Sequence, residues 1–193
     1  MCIRDSTVTV RDGLGNPLPD YPVEIIAPGT GIAITQPVSP TDAAGQAVGY
    51  VSATFAPQTV PITARTTSDN VTLAQSVSIT FTPGLPDPDR SSLVAVPAAV
   101  VANGTDTAIV FVTLRDTFDN LVAGKAISIT ASGTAITLIL DMTETNDLGQ
   151  VTGSIRSSVA QTVTLRALDL TDGLTITQVA EVLFTSTDPH LSS

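Results

Sequence analysis

The sequence predicts an all-β protein: two β-sandwiches in tandem, about seven strands each, the first lacking its N-terminal strand. Three observations carry that reading. The 193 residues are 42% hydrophobic and only 13% charged, too apolar for a disordered segment, although acids outnumber bases 18 to 8 for a net charge of −10. Thr, Val, Ala and Ser dominate, while the chain holds one Lys and three Glu, so strong helix formers are scarce. Third, the chain repeats itself.

Thr7-Val8-Thr9-Val10-Arg11-Asp12 matches Phe111-Val112-Thr113-Leu114-Arg115-Asp116 at an offset of 104, which also brings Asn16 onto Asn120, Ile25 onto Ile129 and Gly45-Gln46 onto Gly149-Gln150. After a one-residue adjustment Gln58 meets Gln161 and Phe81-Thr82 meets Phe184-Thr185. Asp87-Pro88 then recurs as Asp188-Pro189. The register gives a leader over residues 1–6, a first unit over 7–86 that lacks the counterpart of roughly 93–106, a complete unit over 87–187 and the start of a third over 188–193. It reads as a window cut from a longer array, and the shortened unit is expected to be marginal, with an unpaired strand edge.

Within each unit the strands follow in order. Alternate residues of a strand point to opposite faces, so one buried face produces a period of two. Val8 and Val10 repeat as Val112 and Leu114; Val23, Ile25 and Ala27 as Ile127, Ile129 and Ala131. Ala47, Gly49 and Val51 return as Val151, Gly153 and Ile155, and Val60, Ile62 and Ala64 as Val163, Leu165 and Ala167. Val77, Ile79 and Phe81 close the unit, as do Ala180, Val182 and Phe184. Turn residues separate the runs: Asp12-Gly13-Leu14-Gly15-Asn16-Pro17, Thr41-Asp42-Ala43-Ala44-Gly45 and Asn146-Asp147-Leu148-Gly149.

The composition also excludes. A nucleic-acid partner needs clustered Lys and Arg, which this chain lacks. Cys2 is the only cysteine, so no intrachain disulfide forms. The longest apolar run, residues 93–102, contains Pro97 and is too short to span a bilayer, so no membrane insertion by this segment is expected. Met1-Cys2-Ile3-Arg4-Asp5-Ser6 has no apolar core of a secretory signal. It resembles the translated adapter sequence that heads reading frames in environmental assemblies.

Ala102-Asn103-Gly104-Thr105-Asp106-Thr107-Ala108, followed by Val112-Thr113-Leu114-Arg115-Asp116 and Asn120 before Gly124, resembles the group 1 bacterial Ig-like domain. So do the turn at 42–45, the Val-x-Ile-x-Ala run at 60–64 and the closing Val-x-Ile-x-Phe-Thr at 77–82. These are the repeats of invasin- and intimin-type adhesins. The resemblance implies an immunoglobulin-like sandwich and a rigid extracellular stalk or spacer, at the surface of a Gram-negative bacterium. In that family the stalk lies between an outer-membrane barrel and a binding tip. Neither is in this chain, so host-receptor contact is expected through other regions, and neighbouring Ig-like repeats are the partners implied.

Asp12 and Asn16, repeated as Asp116 and Asn120 with Asp119 added, have oxygens close enough for Ca²⁺. A turn in which Asp bonds its own backbone is the preferred reading. Asp87, Asp89 and Asp188 lie at unit junctions, where acids can hold Ca²⁺; Pro83, Pro86 and Pro88 offer stiffness without it. Lys125 could crosslink near Glu144 or Glu181, but is read as a solvated turn lysine, with Tyr21 at its place in the first unit. His190 is the sole histidine and gives no Ser or Cys a base within a unit. Asn70 and Asn103 fit glycosylation sequons, which are discounted. No catalytic, cofactor-binding or metal residue is assigned, and no enzyme activity or cofactor is expected. Two alternatives to the stalk stay open. The repeats could themselves bind a host protein, a glycan or a neighbouring stalk, for which Tyr50, Phe111 and Phe118 are the residues to inspect. Or they could be accessory modules of a secreted enzyme.

Overall fold

A computed structural model describes residues 2–186, so the expected start of a third repeat, with Asp188 and His190, lies outside the described residues. The chain divides into two compact units, Met1–Pro83 and Gly84–Ser193. Unit 1 holds β1 (Cys2–Thr9), β2 (Val23–Ile26), β3 (Ile32–Thr35), β4 (Gln46–Ala53), β5 (Gln58–Thr66) and β6 (Val77–Phe81). Unit 2 holds β7 (Ser92–Val96), β8 (Ala99–Val101), β9 (Ala108–Thr113), β10 (Ile127–Ala131), β11 (Ile136–Leu140), β12 (Gln150–Ser157), β13 (Gln161–Asp169), β14 (Leu174–Thr175) and β15 (Ala180–Thr185). The architecture is all-β, with no helix among the described residues. About seven strands per unit were expected. Unit 2 exceeds that because its opening segment serves both sheets as β7 and β8, and because β14 folds back on β13.

Unit 2 is a closed sandwich. One sheet runs β11-β12-β9-β7 and the other β10-β13-β15-β8, the last pair parallel. The period-two residues meet between the sheets: Val110, Val112, Leu114, Val151, Ile155, Val163, Leu165, Val182 and Phe184 are all essentially inaccessible. Leu93 from β7 and Val100 from β8 complete this core from its open side. Unit 1 repeats the plan with β3-β4-β1 and β2-β5-β6. Among its described residues nothing stands where β7 and β8 stand in unit 2. Val8, Ile25, Val51, Val60, Ile62 and Phe81 are buried as the pattern predicts. Val77 is not: it is 59% exposed, where its counterpart Ala180 is 7% exposed. Periodicity assigns a face to a residue, but burial also needs something opposite that face, and β6 has no strand beyond it among the described residues.

Residues 2–6, expected as a leader, belong to β1, where Cys2 to Ser6 pair with Ala53 to Gly49 of β4. Backbone pairing asks little of side chains, so the β4 edge accepts them. The side chains register the difference. Ser6 takes the place of Val110, and its Oγ is buried with no hydrogen-bond partner.

The turns recur with their chemistry. Asp42 Oδ1 accepts from Ala44 N–H and Gln46 N–H at 2.8 and 2.9 Å; Asn146 Oδ1 accepts from Leu148 and Gln150 N–H at 2.9 and 3.0 Å. Each turn ends on a glycine at positive φ, Gly45 at 71° and Gly149 at 66°. A Cβ there would lie 2.5 Å from Val10 O or 2.7 Å from Leu114 O, so both the dihedral and the packing require glycine.

Candidate functional site

The most organised polar site is built around Asp116, which follows β9 and is only 3% exposed. Its Oδ1 accepts from the N–H groups of Phe118 and Asn120 at 2.8 and 3.0 Å. The buried Asn120 Nδ2 donates to Oδ1 at 3.1 Å and to Oδ2 at 2.9 Å. Gly84 N–H supplies a further donor to Oδ2 at 2.8 Å. Burial raises the cost of this charge, but the bonds from Asn120, Gly84 and Phe118 outweigh it and hold the carboxyl below its ordinary pKa. The left-handed position of the loop falls on Asp119, φ 65°. With both Asp116 oxygens filled by N–H donors, the arrangement is a turn that fastens a neighbouring segment, and Ca²⁺ would have to displace those donors.

The fastened segment is residues 84–91. Pro86 bridges to Asp116, and Asp87 N–H donates to Arg115 O at 2.7 Å. Ser91 Oγ accepts from Arg115 N–H at 3.1 Å. Thr177, just after β14, donates its N–H to Pro88 O at 3.2 Å and its hydroxyl to Asp89 Oδ1 at 2.7 Å. Arg90 Nη1 meets Asp119 Oδ2 at 2.8 Å. That exposed ion pair contributes about 0–1 kcal/mol. A bond such as Gly84 to the buried carboxylate contributes about 1.5–3 kcal/mol, so the backbone donors dominate. These contacts all lie within the second compact unit, which begins at Gly84. Asp87 and Asp89 are thereby engaged: Asp87 Oδ1 accepts from Asp89 N–H at 3.0 Å, and Asp89 Oδ1 holds Thr177. The described residues contain no group of three or more His, Cys, Asp or Glu that could hold a metal ion. In unit 1 the equivalent Asp12 carboxylate accepts from the N–H groups of Leu14 and Asn16 and from the Asn16 side chain. Its carboxyl is also held below the ordinary value, by the Asn16 side chain first.

Lys125 is not a solvated turn lysine. Its Nζ lies 2.6 Å from Asp172 Oδ2, both side chains being more than four-fifths buried. The reason is tertiary: the β13–β14 turn folds over the lead-in to β10, where Leu170 N–H donates to Ala126 O and Ala126 N–H to Thr171 Oγ1. Neither Glu144 nor Glu181 is its partner. The fully buried Asp169 ends β13 at the start of this turn. Its pKa is raised by burial, with the charge and hydrogen bond of Asp172 acting in the same direction. Asp169 Oδ2 is buried with no hydrogen-bond partner. Unit 1 carries Thr66 and Asp69 at these places, and the Thr66 hydroxyl donates to Asp69 directly.

Sequence reasoning missed Thr41 and Thr145, both buried. Thr41 Oγ1 donates to Leu18 O at 2.7 Å and Thr145 Oγ1 to Val122 O at 2.9 Å, while each accepts the N–H of Tyr21 or Lys125. Their recurrence at the repeat offset was the available signal. Asn103 Oδ1 accepts from Thr105 and Asp106 N–H at 2.9 and 2.8 Å as a turn residue, and Asn70 sits at φ 56°. Tyr50 and Phe118 are exposed on different units. Phe111 is half-buried, and its cross-strand neighbour is Val94; beside them Ile109 pairs with Val96. Val94, Val96 and Ile109 are all exposed, so the outer face of β7 and β9 carries an apolar patch.

Comparison with known proteins agrees with this architecture. Residues 90–185 match the family model of the bacterial Ig-like domain (group 1). Among solved structures, InvD of Yersinia pseudotuberculosis is 18% identical with a TM-score of 0.66, over 99% of this chain and 55% of that one. The Escherichia coli adhesin FdeC is 13% identical with a TM-score of 0.72, over 96% and 59%. Invasin, described as a bacterial integrin-binding protein, is 22% identical with a TM-score of 0.52, over 96% and 40%. At these identities the likeness is one of fold, and the chain spans only 40–59% of the length of these structures.

Proposed function

The chain belongs to the bacterial Ig-like (group 1) family through residues 90–185, and from that premise we propose that it is a non-catalytic spacer segment of a bacterial surface adhesin, holding neighbouring regions apart outside the cell. The observation that carries this reading is the fastening of residues 84–91 onto the Asp116 loop. β6 ends at Phe81 and Gly84 is already bonded, so only Thr82 and Pro83 remain between them. Proline narrows the conformers of so short a connection. The acidic, Lys-poor surface keeps an extended array soluble. Anchoring at the outer membrane and contact with a host partner belong to the same proposal and rest on the family alone.

The test is stiffness. With Cys2 replaced by Ser, spin labels at Leu14 and Leu148, both exposed, report the distance distribution between units by pulsed electron resonance. A narrow distribution is expected, broadening when Asp116→Ala releases the Gly84 bond. A native distribution as wide as that of a variant with a Gly-Ser insert after Thr82 would overturn the reading.

A second reading has its own observation in the apolar patch of Val94, Val96, Ile109 and Phe111. Patches of this kind mark protein contacts. If this face binds a host surface, beads coated with the chain adhere to cultured epithelial cells and lose adhesion on Val94→Lys with Ile109→Lys. Unchanged adhesion removes this reading and leaves the spacer untouched.

A further inference from the structure

We propose that unit 2 carries a self-modification site, at which the Lys125 amine and the Asp172 carboxyl condense to an isopeptide bond, with Asp169 carrying the proton. Lys125 is the only lysine of the chain. Its Nζ lies 2.6 Å from Asp172 Oδ2, both side chains being more than four-fifths buried. Despite that distance Asp172 Oδ2 is buried without accepting a hydrogen bond. The two groups are thus in contact, but outside hydrogen-bond geometry.

Each reacting side chain stands on fixed backbone. Lys125 N–H donates to Thr145 Oγ1 at 3.0 Å, and Lys125 O accepts from Thr145 N–H at 2.9 Å. Just before Asp172, Leu170 N–H donates to Ala126 O at 2.8 Å and Thr171 Oγ1 accepts from Ala126 N–H at 2.9 Å. Groups held in contact react with effective molarities of about 10⁵–10⁸ M, which is what condensation without an activated acyl donor requires. Asp169 is fully buried at the same place. Its Oδ1 accepts from the N–H groups of Thr171 and Asp172 at 2.9 and 3.3 Å, while its Oδ2 has no hydrogen-bond partner. Burial first, with Asp172 acting in the same direction, raises its pKa, so it holds a proton at higher pH than an ordinary aspartate.

The step balances within these three residues. A proton passes from the Lys125 ammonium to Asp172 and frees the Nζ lone pair, which adds to Cγ of Asp172. Asp169 protonates the departing hydroxyl and takes the second ammonium proton from nitrogen. One N–C bond forms, one C–O bond breaks and one water leaves; nothing is oxidised or reduced, and Asp169 ends as it began. Unit 1 keeps only the carboxyl that is attacked. Asp69 stands at the place of Asp172, but Tyr21 and Thr66 replace the amine and the second carboxyl, and the Thr66 hydroxyl donates to Asp69. In unit 2 the bond ties the lead-in of β10 to the turn after β13 and closes a covalent loop through β10, β11, β12 and β13. Such a loop constrains the unfolded chain as a disulfide does, in a chain whose one cysteine can form none within it. The chemistry goes beyond the spacer reading and does not depend on it.

The experiment measures the intact mass of the full chain in denaturant, after incubation of the folded protein. The expected mass is lower than that of the sequence by one water, and an amine-reactive acylating reagent labels the N-terminus alone. Peptide mapping is expected to return residue 125 joined to residue 172. Lys125→Arg and Asp172→Ala are expected to keep the full mass. Asp169→Asn is expected to form the bond roughly a hundredfold more slowly. Exchange protection of β13 shows that each variant is folded. Full mass in the native chain with β13 protected overturns the proposal. So does a water loss that persists in Lys125→Arg or that hydroxylamine reverses, since both mark a cyclic imide at an Asp-Gly step such as Asp172-Gly173. An unslowed Asp169→Asn overturns the role given to Asp169.

Discussion

Val77 and Ala180 stand at the same place in the repeat, yet the first is 59% exposed and the second 7%. The two strands differ little in pattern. They differ in what lies beyond them: β15 has β8 on its outer edge, whereas β6 has no further strand there among the described residues. The contrast extends through both units. The buried apolar cluster of unit 2 has 17 residues and that of unit 1 has 12, and Leu93 and Val100 come from a segment with no counterpart among the described residues of unit 1. Ser6 adds to the deficit by setting a hydroxyl where unit 2 has a buried valine. Two runs of the same hydrophobic pattern thus give one closed sandwich and one open one. The strand that crosses between sheets, more than the alternation inside each sheet, decides whether a core is sealed.

The largest effect follows directly. Burying an aliphatic side chain contributes about 1.5–3 kcal/mol, so with no equivalents of Leu93 and Val100 among its described residues unit 1 is expected to be weaker by roughly 3–6 kcal/mol. That is a large part of the roughly 5–15 kcal/mol that holds a typical domain folded. Native-state hydrogen exchange is expected to show unit 1 opening at lower denaturant than unit 2. Equal protection of β5 and β13 breaks the comparison. Leu93→Ala sharpens it, because it moves unit 2 toward the condition of unit 1. The expected loss is about 2–5 kcal/mol, read as a lower denaturant midpoint for unit 2 alone.

What the sequence showed of all this depended on how local the cause was. Alternation in β4, β5, β12 and β13 was legible because each strand lies against a full facing sheet, so pattern and burial coincide. Val77 was misplaced because its burial depends on a strand far off in sequence. The Asp12 and Asp116 turns were legible from the Asp-to-Asn spacing, since an Asx turn is closed by the residues that spell it. That Asp116 also recruits Gly84 was not legible, because the donor is a backbone N–H and any residue but proline has one. Lys125 was misread for a related reason. Its partner sits in a turn whose fold-back over residue 126 is set by two backbone-mediated bonds, and a lone lysine beside a glycine turn gives no hint of them.

Ser6→Val tests the smaller half of the difference between units. Ser6 Oγ is buried without a partner, and an unsatisfied hydroxyl costs about 1–3 kcal/mol. Its counterpart Val110 is fully buried, so the valine has a place that the repeat already uses. The substitution is expected to stabilise unit 1 by about that amount and leave unit 2 unchanged, measured as separate exchange midpoints. Destabilisation of unit 1 would mean that β1 does not follow the register of β9 at its start.

The smallest expected effect separates the units by pH. The Asp169 pKa is raised in the folded protein, so between the unfolded value near 3.9 and the folded value the native state binds the extra proton. Stability from this group is therefore complete below about 3.9 and is lost as pH rises through the folded pKa. Asp116, lowered, acts with the opposite sign: its contribution is present above about 3.9 and is lost as pH falls through its folded value. Unit 1 has an aspartate at the second place, Asp12, but neutral Thr66 at the first. Both units should weaken in strong acid, and only unit 2 should gain stability as pH is lowered from neutrality toward 4. Asp169→Asn removes the titrating group and is expected to flatten that gain while leaving the acid limb in place. If the midpoint of unit 2 follows the same pH curve with and without the substitution, the carboxyl is ionised in the folded protein, and the missing donor to Asp169 Oδ2 has to be found elsewhere.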